Sequence, residues 1–208
     1  TSGRIVIEDW HGLPYQKPLA RTREHIEIIR KALAGEAVNH KGELFQLARF
    51  RMTARAVQQH IPIYLATLGP KNLELTGQLA DGWLPTWLDC NHFAEFKDQI
   101  AKAASKADRD ISDITAAPYI MCFASDNSAE LTEGEKGIRA NMAYYIGGMG
   151  DYYHGLVSRQ GYSVEADAVR AAWASNDRSK AAAVISDKML DNIAILGSAS
   201  ECRSKLER

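Results

Sequence analysis

Only three cysteines, Cys90, Cys122 and Cys202, occur in the 208 residues. They are far apart, odd in number and form no CxxC pair, which excludes a disulfide framework and a thiolate zinc site. A reducing, cytoplasmic setting is expected. The six histidines show neither HxH nor HExxH spacing, so no metal site is expected. Charge of one sign is also missing: 25 basic side chains face 26 acidic ones, for a net charge of −1. That balance removes the electrostatic basis for binding nucleic acid or an anionic membrane. The longest apolar run, Ile61 to Gly69, is nine residues, against the roughly 18 to 20 that a membrane span needs, and a soluble protein is expected. No GxGxxG phosphate turn, catalytic triad or paired-carboxylate signature is present. Thr1 stands where a Met is usual and no basic-then-apolar leader follows, so upstream sequence is expected to precede this chain.

The 46% hydrophobic content is enough to bury a core. Four apolar segments read as strands: Ile61 to Thr67, Asp81 to Trp87, Ala117 to Ala124 and Asp191 to Leu196. Helical periodicity lies between them, the alternation that builds parallel sheets, so the class is α/β. Pro70 suits a first helical position, and Leu73, Thr76, Gly77 and Ala80 form a small-residue face. Phe93, Phe96 and Ile100 mark the next helix, with Asp89 or Asn91 as its cap. Pro18 to Leu33 is an amphipathic helix stopped at Gly35. Short extended segments are expected after it, up to Phe50, while Ile5-Val6-Ile7 reads equally as strand or helix. Ser198-Ala199-Ser200-Glu201 has capping-box spacing. Some 65 residues between the third and fourth strands carry helical signals without linker composition, so they are an insertion in one domain. Four such strands do not close a barrel, whose eight-stranded form typically takes about 250 residues.

Three stretches, EDWHGLPYQKPLARTREHIEIIRKALAGE, IPIYLATLGPKNLELTGQLADGWLPTW and NMAYYIGGMGDYYHGLVSRQGY, carry a resemblance. They are similar to the luciferase-like monooxygenase superfamily, in particular to its F420-dependent branch near the methylenetetrahydromethanopterin reductases. The resemblance implies a (β/α)8 TIM barrel of which residues 1–208 are one partial domain, lacking the first strands and ending within the last helix. It implies hydride transfer between coenzyme F420 and a small organic substrate, and a homodimer.

By this resemblance the turn Ala66, Thr67, Leu68, Gly69, Pro70 and Lys71 faces the coenzyme phosphate, through N–H groups at a helix start. Read from the residues alone, it is equally a plain strand-to-helix turn. Flavin-using relatives tend to carry a serine in a GxSxxG-like stretch here. Gly69 and Asn72 stand in those places, which favours F420 over FMN. Thr1 and Ser2 correspond to the end of strand four, beside the coenzyme ring. Thr86 and Trp87 correspond to the substrate pocket, although an indole also serves as packing. His11, after Trp10, is a candidate proton donor or a structural histidine. Tyr144 to Gly150 reads as a lid or as a glycine-terminated helix end. The catalytic residues stay unassigned. The competing functions are an FMN-dependent monooxygenase using dioxygen and a non-catalytic barrel fragment packed on a partner chain.

Overall fold

The computed structural model describes residues 3–207. The first of them enter an irregular helical turn, Val6–Trp10, which decides the open reading of Ile5-Val6-Ile7 in favour of helix. Helix α1 (Pro18–Leu33) has the predicted bounds. Its stop is explained at Gly35, whose φ of +79° is ordinary only for glycine. An antiparallel hairpin follows, β1 (Val38–Lys41) with β2 (Gln46–Phe50). The buried Glu24 of α1 holds its turn by accepting the N–H groups of Glu43, Leu44 and Phe45, and it pairs with His40 at 3.2 Å.

The parallel part begins with β3 (Tyr64–Leu65), continues through α2 (Pro70–Leu79) to β4 (Gly82–Trp83), then α3 (Phe93–Ser105) and β5 (Thr115–Ala116). These strands pair in the order β3-β4-β5, all parallel, and a further bridge joins Thr86 to Tyr119. Regular pairing is shorter than the apolar runs from which it was read. The third run is divided: Ala117 and Tyr119 on either side of Pro118 donate to the Trp83 and Pro85 carbonyls, and a new ladder, with a different partner strand, begins at β6 (Met121–Ala124).

The insertion is helical as expected, with α4 (Ser128–Gly148), α5 (Asp151–Val157), α6 (Ser163–Ala174), α7 (Arg178–Ala183) and α8 (Asp187–Ile193). One expectation is overturned here. Asp191 to Ile193 belong to α8, so the fourth strand is β7 (Ala194–Gly197), pairing parallel with β6. Ser186 caps the start of α8 by accepting the Met189 N–H, and the helix runs on through Asp191 and Asn192 to Ile193. Helix α9 (Ala199–Leu206) opens on the predicted capping box of Ser198 and Glu201.

Helices cover one face of the sheet. Trp83, 1% exposed, stacks on Phe93 and Phe96, and Gly77 lets α2 approach the backbone of α3 at Ile100. On the opposite face Tyr64, Leu84 and Tyr119 are exposed, and the Tyr64 ring lies where a side chain on Gly82 would stand. Among the described residues, no helix is long and apolar enough to cross a membrane.

Candidate cofactor and substrate site

The turn after β3 is built by the core beneath it. The Thr67 hydroxyl meets that of Thr76 at 2.7 Å, and Thr76 donates to the Asn72 carbonyl. The Trp83 indole N–H donates to the Thr67 carbonyl at 2.8 Å. Thr67 and Leu68 are buried, so they shape the turn from below, while Ala66, Pro70 and Lys71 are exposed. Gly69 is the cap of α2 in extended geometry, with φ −86°. Its carbonyl accepts from Asn72 and Leu73. No neighbouring heavy atom lies within 4 Å of the place a side chain on Gly69 would take, so the turn is open to an approaching group. The insertion reaches this turn through Tyr152. Burial raises the pKa of that phenol, and the facing N–H groups of Leu68 and Gly69, with the charge of Arg159, only partly offset it.

The rim loop after β4 holds the second set. Thr86 is half-buried and bridges to Tyr119. Trp87 is 7% exposed, takes a left-handed φ of +56°, and sets its indole 5.4 Å from the Tyr145 ring. That position makes it a wall packed on the insertion. A buried network holds the loop. Gln160 accepts the Asp89 N–H at 2.7 Å and donates to the Trp87 carbonyl at 3.1 Å. Tyr162 donates its hydroxyl to the Asp89 carboxylate, and Asn192 donates to the same carboxylate at 3.2 Å and to the Tyr162 oxygen at 2.9 Å. Asn91 donates to the other carboxylate oxygen from its backbone N–H and its side chain. Burial and the adjacent Asp89 hold the Tyr162 phenol well above its ordinary pKa.

The structure thus places Ala66 to Lys71 on one turn and Thr86 with Trp87 on the next strand's rim. Ser2, with Thr1, lies outside the described residues. His11 and Trp10 are exposed on the N-terminal turn. The glycines of Tyr144 to Gly150 end a helix: Gly147 and Gly148 sit within α4 against the Trp173 ring, where a methyl group would clash, and the chain turns at Gly150, φ +76°. Sequence reasoning named Asp89 only as a cap and missed Gln160, Tyr162, Asn192 and Tyr152. Their partners are 30 to 103 positions away, and no local spacing signals such contacts. A cavity of about 310 Å³, lined in part by Pro85, Leu88, Phe93, Tyr119, Ile193 and Leu206, contains none of the expected cofactor or substrate residues. Among the described residues, no group of three or more His, Cys, Asp or Glu side chains is arranged to hold a metal.

Parallel strands under a helical layer, with turns gathered at their carboxyl ends, define an α/β protein of TIM-barrel-like type. The family profile for luciferase-like monooxygenases matches residues 1–208, and the chain belongs to that family. A protein of Mycobacterium tuberculosis named as a coenzyme F420-dependent oxidoreductase is 29% identical over 225 residues, covering 99% of this chain and 63% of the relative. The 5,10-methylenetetrahydromethanopterin reductase of Methanolobus tindarius is 30% identical over 209 residues, covering 98% of this chain and 61% of the relative. The solved coenzyme F420-dependent tetrahydromethanopterin reductase from Methanopyrus kandleri superposes with a TM-score of 0.80 at 22% identity, covering 99% of this chain and 62% of that one, and shares its fold. The chain therefore spans about three fifths of the length of these relatives.

Proposed function

We propose that this chain is the greater part of an F420-dependent oxidoreductase, which transfers a hydride between the coenzyme and a small organic substrate. The observation that carries the reading is the open turn Ala66–Lys71 at the start of α2, in a family whose relatives are named for that coenzyme. The residues suit a phosphate. The space beside Gly69 admits a group to the backbone, and the N–H groups of Leu68 and Gly69 already face an oxygen, that of Tyr152. Lys71 adds a cation at the surface. The exposed edge of the turn, Ala66 and Pro70, contacts the coenzyme, with Thr67 and Leu68 shaping it from beneath and Ser2 beside the ring.

When bound, the coenzyme would supply the hydride chemistry, as donor or acceptor. The protein orients the substrate and keeps water away, work for Thr86 and for the Trp87 wall clamped by Gln160, which is why few acid or base residues are required. In this reading residues 1–208 form one barrel domain that lacks the first strands, ends in its last helix, assembles as a homodimer and works in the cytoplasm. The exposed face of Tyr64, Leu84 and Tyr119 supports the incomplete barrel, because a closed barrel fills that side with the facing strands.

The test is a fluorescence titration of the full reading frame that contains this chain, with F420 and FMN in parallel, repeated on Gly69→Asp. Saturable binding of F420 alone, lost in the variant, is expected. A preference for FMN makes the protein a flavin monooxygenase. Binding of neither overturns the coenzyme reading in favour of a fragment that packs on a partner.

A further inference from the structure

Cys122 and Cys202 are 80 positions apart in the chain and adjacent in the fold. Cys122 lies on β6, opposite Ile195 of β7, and is exposed. Cys202 lies one turn into α9, which packs on both strands, and is 5% exposed. Its thiol reaches back to β6, 3.7 Å from the carbonyl of Phe123, the residue after Cys122, and 3.5 Å from that of Gly197. The neighbouring residue on that strand, Cys122, is near enough for its side chain to raise the pKa of the Cys202 thiol. Cys90 is on the rim loop after β4, exposed, and lines the cavity whose far wall includes Lys205 and Leu206 of α9.

We propose that Cys122 and Cys202 are a reversible redox pair that a peroxide converts to a disulfide, locking α9 onto β6. The exposed Cys122 is the attacking group. Its thiolate takes the terminal oxygen of the peroxide, the O–O bond breaks, and the sulfur becomes a sulfenic acid as water leaves. Cys202 then attacks that sulfur, loses its proton, and expels the hydroxyl as a second water. Two thiols lose two electrons and two protons, and one peroxide becomes two waters. Burial raises the pKa of Cys202, and the neighbouring Cys122 thiol raises it further. It is therefore a poor first nucleophile, and the order of attack is set by exposure.

The consequence falls on α9. Its residues Lys205 and Leu206 line the cavity of about 310 Å³, and Lys205 pairs with Asp191 across the same region. A bond from Cys202 to β6 fixes that wall. The link closes a loop of about 80 residues, long enough to restrict the unfolded chain substantially.

The experiment treats the folded 208-residue protein with hydrogen peroxide, alkylates the remaining thiols and digests with trypsin. The three cysteines fall in separate peptides, residues 72–97, 110–136 and 189–203. Expected are a mass loss of about 2 Da, a linked pair of peptides 110–136 and 189–203, Cys90 fully alkylated, and reversal by dithiothreitol. In Cys202→Ser, whose hydroxyl keeps the shape of the site, peroxide instead leaves a sulfenic acid on Cys122 that dimedone traps. Three alkylated cysteines after peroxide, or a link through Cys90, overturn the proposal.

Discussion

Tyr162→Phe isolates the clamp on the rim loop. The substitution keeps the ring, which is 3% exposed, and removes only the hydroxyl that donates to the buried Asp89 carboxylate. Asp89 keeps three donors, from Asn91 and Asn192, so its charge is weakened in support and not abandoned. A hydrogen bond to a charged group contributes about 1.5–3 kcal/mol. Asn192 also loses its 2.9 Å contact to the phenol oxygen and retains its bond to Asp89. The expected cost is therefore about 2–3 kcal/mol, which at about 2–4 °C per kcal/mol for a chain of this size lowers Tm by roughly 4–12 °C. Urea unfolding followed by tryptophan fluorescence measures it, with the slope unchanged because no extra surface is exposed in either state. A loss below about 0.5 kcal/mol would mean that water reaches Asp89 and that the network does not hold the loop.

Other substitutions read other parts of the frame. In Gly77→Ala the added methyl lies 2.4 Å from the Ile100 carbonyl oxygen, so α2 and α3 must separate; a net loss of about 1–3 kcal/mol in chemical denaturation is expected in spite of the better helix propensity. Gly69→Ala meets open space at an ordinary φ, so stability should move by no more than about 0.5 kcal/mol while coenzyme affinity falls; equal affinity would remove Gly69 from the site. Asp81 is the pH-sensitive joint. Burial alone would raise its carboxyl, but the Ile63 N–H, the Arg30 guanidinium and His60 outweigh it and hold the pKa below the ordinary carboxylate value. Its folded pKa is depressed, so its contribution is intact above the unfolded value of about 4 and is lost as pH falls through the folded one. Stability curves of the parent and Asp81→Asn should converge in acid and separate toward neutrality, and a constant separation would refute the assignment.

Much of this protein was legible locally. Pro18 and Gly35 bracket α1 because one residue lacks the N–H that a helix start leaves unused and the other accepts a positive φ. The capping box at Ser198 and the small-residue face at Gly77 depend on spacings of three and four residues, which a sequence displays directly. The turn at Gly69 and its family membership were read from the same short-range information. Tertiary structure decided the rest. The third apolar run serves two partners, donating from Ala117 and Tyr119 to the strand before it and pairing from Met121 onward with β7, a division that its local pattern does not display. Asp191 to Ile193 became the last turn of a helix that starts at the Ser186 cap, although they lead directly into the apolar run from Ile193 to Leu196. The face of Trp87, the role of Gln160 and the meeting of Cys122 with Cys202 all depend on chain segments more than 50 residues apart. Periodicity reports which side of an element is apolar, and only packing determines which distant residue that side will meet.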